Sequence, residues 1–201
     1  MAPDAAATIT PGEDTELMHR VQAGDEAALG TLMQRWELPV KALIARLVLN
    51  ASEAEELAQE TFVRVWQQRE KFKRGAAFRP WIFSIAVNLA RNRLRWWRRR
   101  PTVSLQDWGD ASAIGAIREP VAAGRDGVSS VDTLERAERT AAVRDAIAEL
   151  PVDLREAIVL FEYEQLSHAE IALAVDATPK AVETRIHRAR EKLRVTLKRW
   201  M

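Results

Sequence analysis

Ten consecutive residues, Arg91 to Arg100, read RNRLRWWRRR, with six arginines, two tryptophans and no acid. Guanidinium groups beside indole faces suit a nucleic-acid backbone, a membrane headgroup layer, or plain solvent at a helix end. A second basic element ends the chain: from Lys180 to Met201 there are eight bases against two acids, Glu183 and Glu191. Between Ala51 and Glu60 the sign reverses, with Glu53, Glu55, Glu56 and Glu60 and no base. Phosphates repel such a block, so it suits a protein partner better than DNA.

The elements that must position these groups are helical. Leu17, Val21, Ala28, Leu32 and Trp36 fall on helical spacings, as do Leu57, Thr61 and Val65, and then Ile82, Ile85, Leu89 and Trp96. No segment alternates strictly enough for a strand. Breaks at Gly24-Asp25, at Asn50-Ala51-Ser52 and over Lys71 to Pro80 give about four helices before Pro101. Further on, Val143, Ile147 and Leu150 lie on one helix that stops before Pro151, and Leu154, Ile158 and Phe161 share a face of the next.

Then comes SHAEIALAVDATPKAVETRIHRAREKLR. Ser167 and Glu170 form a capping box, and Thr178-Pro179 supplies an N-cap with proline at the first helical position, where no N–H is needed. Two short helices joined at Asp176-Ala177 make a helix-turn-helix, with Ile171, Ala172, Val175, Ala177, Val182 and Ile186 as the seam. Its second helix offers Lys180, Glu183, Thr184, His187 and Arg188 outward, with Arg185 beside them, as a major-groove reader requires.

Composition narrows the choices. The chain has 201 residues, 47% hydrophobic and 29% charged, which indicates a soluble globular protein of two modest domains. There is no cysteine, so disulfides and thiolate metal sites are excluded. His19, His168 and His187 stand in separate segments with no paired carboxylate or nucleophile, and there is no glycine-rich phosphate loop. No enzyme activity, cofactor or metal is expected. The opening MAPDAAATITPGED carries acids and no base, the wrong polarity for a secretory signal. The longest apolar run, ALIARLVL, is too short for a membrane span and holds Arg46. The apolar face at RNRLRWWRRR is also too short for a membrane-surface helix. The expected location is the cytoplasm.

The net charge of +1 conceals an uneven distribution. Residues 1–14 carry −3 and are expected to be a disordered tail; residues 15–100 carry +7 and form the first domain. Residues 101–135 carry −4, with Gly, Pro, Ser and Asp scattered without period, and read as a flexible linker. Residues 136–201, at +1, hold the helix-turn-helix domain. The expected fold class is all-α: two small helical domains joined by a flexible linker.

Three motifs in order resemble the bacterial sigma factors of the extracytoplasmic-function group, within the sigma-70 superfamily. AEELAQETFVRVW is similar to that family's core-polymerase-binding helix, and FRPWIFSIAVNLARNRLRWWRR to the part that melts and reads the −10 promoter element. LPVDLREAIVLFEYEQLSHAEIA with AVETRIHRAREKLR resembles the domain that reads the −35 element. The resemblance implies a sigma factor that binds core RNA polymerase, directs initiation at promoter DNA, and is held by an anti-sigma factor.

It also implies residue roles. Gln59, Glu60, Phe62 and Trp66, with Glu56 in the acidic block, would dock on the clamp of the polymerase's largest subunit. An ordinary amphipathic core helix is the other reading of that segment. The loop bearing Lys71, Phe72, Lys73, Arg74 and Phe78 would form a base pocket with Asn88, whose amide offers one acceptor and two donors for edge readout; a packing or capping amide is the alternative. Arg91, Asn92, Arg95 and the arginines to Arg100 would grip phosphates without reading sequence. Trp96 is expected in the core and Trp97, about 100° further round, at DNA or polymerase.

Some positions depart from the family pattern. Asn92 stands where many members have Asp, and Lys180 and Glu183 stand where a glycine and a basic residue are frequent. Glu183 could accept from a cytosine amino group or pair with Lys180 or His187. The acidic linker could thread the RNA channel of the polymerase or serve as a solvated tether. A stand-alone helix-turn-helix repressor or activator is the competing function.

Overall fold

The computed structural model describes residues 11–99 and 130–200, all helices and turns with no strand among them. Eight α-helices follow in order: α1 Pro11–Gln22, α2 Glu26–Val48, α3 Ala51–Gln67, α4 Phe78–Arg99, α5 Ser130–Ala148, α6 Val152–Glu162, α7 His168–Val175 and α8 Pro179–Thr196. The acidic linker, read as a thread through the RNA channel or a solvated tether, lies mostly outside the described residues, as do residues 1–10 and Arg100.

Local chemistry sets most boundaries. At α2 the Asp25 carboxylate accepts the Ala28 N–H at 3.0 Å, while Arg20 donates to it at 2.6 and 2.9 Å. These contacts hold the Asp25 carboxyl below its usual range, the Ala28 N–H first and the Arg20 side chain second. Asn50 caps α3 through the Glu53 N–H in the same way. Proline-containing FRPW lies within the first turn of α4, so the break expected over Lys71 to Pro80 ends at Ala77. A 3-10 turn at Arg69–Lys71 opens it.

Two expected boundaries change. Residues 11–14 belong to α1, and Asp14 is only 2% exposed. Its carboxylate accepts the Trp36 indole N–H and an Arg35 N–H, both at 3.0 Å, which ties this turn to the core. α5 begins at Ser130, so the last six residues of the expected linker are helical.

The first four helices surround an aromatic core of Trp36, Phe72, Phe78 and Phe83, whose rings meet at 5.6 to 6.3 Å, mostly edge to face. The C-terminal helices pack α6, α7 and α8 on Ile158, Leu160, Ile171, Val182 and Ile186. The two units also pack on each other: α4 lies against α7, and α2 against α6. Every residue of α6 from Leu154 to Leu160 is therefore buried, Arg155 and Glu156 included, where the sequence pattern had given it a single apolar face.

Candidate nucleic-acid interface

The acidic helix α3 turns Glu56 and Gln59 to solvent and leaves Glu60 and Trp66 half-exposed. Its carboxylates are partly engaged: Glu60 accepts from Arg64 at 2.7 Å, and Glu56 lies 3.8 Å from Arg93. Arg93 also pairs with Glu53, whose carboxyl burial nonetheless pushes above its usual range. The Arg69 guanidinium covers one face of Trp66 at 4.3 Å. Phe62 does not join this surface. It is 4% exposed and packs with Leu57 and Val65, so it supports the helix from beneath.

The loop before α4 divides by residue type. Lys71, Lys73 and Arg74 are exposed, whereas Phe72 and Phe78 are 2% and 1% exposed. Both phenylalanines were expected to wall a base pocket, and here they are core. Phe72 meets Trp81 at 5.1 Å and Phe78 meets Trp36 at 5.7 Å, because the aromatic core offers them more contact than solvent does. The Gln22 amide fixes the same loop by donating to the Arg69 and Phe72 carbonyls at 2.9 and 2.8 Å. Gly75, at φ 79°, makes the turn that presents the three cations. The loop is thus a pinned cationic surface.

On α4, Asn88 is exposed, with Ile85, Ala86 and Val87 buried beneath it. The packing role weighed for its amide is not what this position offers. Asn92 and Arg95 are also exposed. Arg91 differs, because it donates to both carboxylate oxygens of Glu156 at 3.0 and 2.6 Å. The hydrogen bonds it donates to Glu156 hold the Arg91 guanidinium above its ordinary range. The tryptophans exchange their expected places: Trp96 is 38% exposed, while Trp97 is half-buried against the core. The turn that the helical seam assigns to Trp96 comes near the end of α4, where Trp97 reaches the packed side instead.

The helix-turn-helix forms as its sequence requires. Ser167 accepts the Glu170 N–H at 3.3 Å, Glu170 accepts the Ser167 N–H at 2.9 Å, and Thr178 accepts the Ala181 N–H at 3.2 Å. Asp176 takes the left-handed turn at φ 52°. Lys180, Glu183, Thr184, His187 and Arg188 are exposed on α8. Of the alternatives for Glu183, the pair with Lys180 forms at 2.9 Å and lowers the carboxyl below its usual range. His187 lies 3.6 Å from Glu191. Arg185 is half-buried and turns toward α4, lining with Arg91, Arg95 and Arg98 a cleft of about 620 Å³ between the two units. Among the described residues no group of three His, Asp or Glu could hold a metal, and no helix is long and apolar enough to cross a membrane.

Residues 32–100 match the family model for sigma-70 region 2, and residues 140–193 the model for sigma-70, region 4. The chain is 35% identical over 187 residues to the RNA polymerase sigma-H factor of Pseudomonas aeruginosa, covering 91% of this chain and 93% of that one. It is also 35% identical over 182 residues to the ECF RNA polymerase sigma-E factor of Escherichia coli, covering 89% and 91%. The chain belongs to the extracytoplasmic-function sigma factors.

Solved structures agree with this sigma factor's fold. CnrH, in complex with the cytosolic domain of CnrY, superposes with a TM-score of 0.65 at 25% identity, over 92% of this chain and 97% of that one. The sigma factor RpoE of Bartonella quintana, in complex with the anti-sigma factor NepR, superposes at 0.58 and 24% identity, over 84% and 97%. Arg155, Glu156 and Glu164, all buried in this sigma factor, are residues that sequence reasoning missed. LREAIVLF did carry a signal: its apolar residues run too continuously for a helix with one dry face.

Proposed function

We propose that this chain is a dissociable initiation subunit of bacterial RNA polymerase, acting in the cytoplasm and without catalysis of its own. The acidic face of α3 docks on the clamp of the polymerase's largest subunit through Glu56, Gln59, Glu60 and Trp66. Lys71, Lys73, Arg74 and Asn88 take the unpaired −10 strand, with Asn88 reading a base edge and the cations holding phosphates. Arg91, Asn92 and Arg95 extend that grip, and α8 fixes the −35 duplex in the major groove.

The supporting observation is Asn88, an exposed amide on the buried face-to-solvent boundary of α4, in a unit separate from the helix-turn-helix. A stand-alone repressor or activator needs only α7 and α8 and leaves the acidic and cationic surfaces of the first unit without a purpose. An anti-sigma protein is the expected regulator, since relatives of this fold were solved with such partners.

Run-off transcription with core polymerase across genomic promoter fragments tests this reading. Specific transcripts that need both core and this chain are the expected result. Tight operator binding by the chain alone, with no specific transcript on adding core, would favour the repressor or activator.

A further inference from the structure

The cleft between the two units gathers more positive charge than the protein itself meets. Arg91, Arg95 and Arg98 recur at intervals of four and three residues, so they share one face of α4 and line one wall of the cleft. Arg185 enters from α8. Arg91 is satisfied within the protein, since it donates to both oxygens of Glu156 at 3.0 and 2.6 Å. Among the described residues the other three form no ion pair. Guanidinium groups that converge on one space repel each other and offer forked donors, which favours a multiply charged oxyanion between them.

The rest of the lining selects among such anions. Asp153, at the start of α6, and Asp176, in the turn of the helix-turn-helix, also border the cleft. Both carboxylates repel a ligand made of phosphate alone. They attract hydroxyl groups, because an ionised carboxylate only accepts hydrogen bonds. Leu94, Val152 and Val175 add an apolar stretch of wall that can take a flat ring. The volume, about 620 Å³, lies within the range of about 300–1,000 Å³ usual for small-molecule sites.

We propose that this cleft is a binding site for a nucleoside polyphosphate. Its phosphates lie on Arg95, Arg98 and Arg185, its sugar hydroxyls donate to Asp153 and Asp176, and its base rests against Leu94, Val152 and Val175. A ligand with one anionic end, one hydroxyl-bearing middle and one apolar end matches all three parts of the lining, whereas inorganic polyphosphate matches only the first. The inference stands on the cleft itself and does not depend on the promoter reading of α4.

Titration calorimetry of the full chain with ATP, and separately with inorganic tripolyphosphate, tests it at one fixed salt concentration. ATP should bind one to one and about tenfold more tightly than tripolyphosphate. Arg98→Gln and Arg185→Gln should each weaken ATP about tenfold, the loss expected for a charge-assisted contact. Lys192 is exposed on the same helix as Arg185 and lies outside the cleft, so Lys192→Gln removes the same charge and should alter ATP binding less than about twofold. Asp153 is exposed, and its replacement leaves the core intact. Asp153→Ala should weaken ATP about three- to tenfold and strengthen tripolyphosphate, since it removes a hydroxyl acceptor and a repulsive charge together. Movement of both ligands in the same direction in that variant would overturn the proposal. So would equal affinity for ATP and tripolyphosphate, an equal loss in Lys192→Gln, or no saturable binding of ATP.

Discussion

The two surfaces proposed to face DNA in this sigma factor are built on opposite plans. In the helix-turn-helix, polar side chains of α8 face solvent over a seam of Val182 and Ile186, so helical period separates reader from core. In the first unit the surface is a loop without period. Its cations face out while Phe72 and Phe78 turn inward onto Trp36 and Trp81. A regular helix needs only its own backbone to aim side chains. A loop needs anchors, and here the aromatic residues serve as anchors, buried away from the surface that the cations form.

The sharpest way to break that comparison is at the anchors. Phe78→Ala should cost about 3–5 kcal/mol of folding stability, since a fully buried ring is lost and the cavity only partly collapses. Lys73→Ala and Arg74→Ala should stay within about 0.5 kcal/mol of wild type while weakening promoter binding. Denaturant unfolding measures the first difference. If Phe78→Ala unfolds like the lysine variant, the ring is not an anchor. Next in size is Asp14→Ala, which leaves the Trp36 indole N–H unpaired in the core and should cost about 1–3 kcal/mol by the same assay.

How far the sequence reveals each surface follows from the same contrast. The capping box at Ser167, the Thr178-Pro179 start and the seam of α7 and α8 are legible because each depends on neighbours a few residues away. Asn88 is legible as an exposed polar group only through its place between Ile85 and Leu89. The burial of Phe62 was legible in the amphipathic-core reading of α3, whereas that of Phe72 and Phe78 and the exchange of Trp96 with Trp97 were not, since each is settled by helices distant in sequence. The Arg91–Glu156 pair spans the same kind of distance. Asp14 looked like part of a charged tail, and only its contact with Trp36 makes it core.

Smaller effects test the helix-turn-helix side. Ser167→Ala should cost about 1 kcal/mol, as the cap leaves the Glu170 N–H unmet, and thermal unfolding should register it. Glu164 sets a pH dependence of definite sign. Its carboxyl is raised by burial, ahead of the opposing Arg46 and Arg79, so its contribution is fully present below the ordinary carboxylate value and is lost as pH rises through the raised one. As pH rises from the ordinary carboxylate range through the raised value, the wild-type melting temperature should therefore fall relative to that of Glu164→Gln. A constant difference between the two would contradict the assignment. Smallest is Glu183→Gln, which frees Lys180 and should raise duplex affinity about two- to fivefold at low salt, an advantage that added salt removes.

The most direct test of the central claim is permanganate reactivity of −10 thymines in a complex of core polymerase, this chain and a promoter it transcribes. Reactivity should appear only when both proteins are present. Asn88→Ala should reduce it about 10- to 100-fold with core binding unchanged, the loss expected for one good base-edge contact. Equal reactivity with Asn88→Ala, or loss of core binding in that variant, would contradict the account.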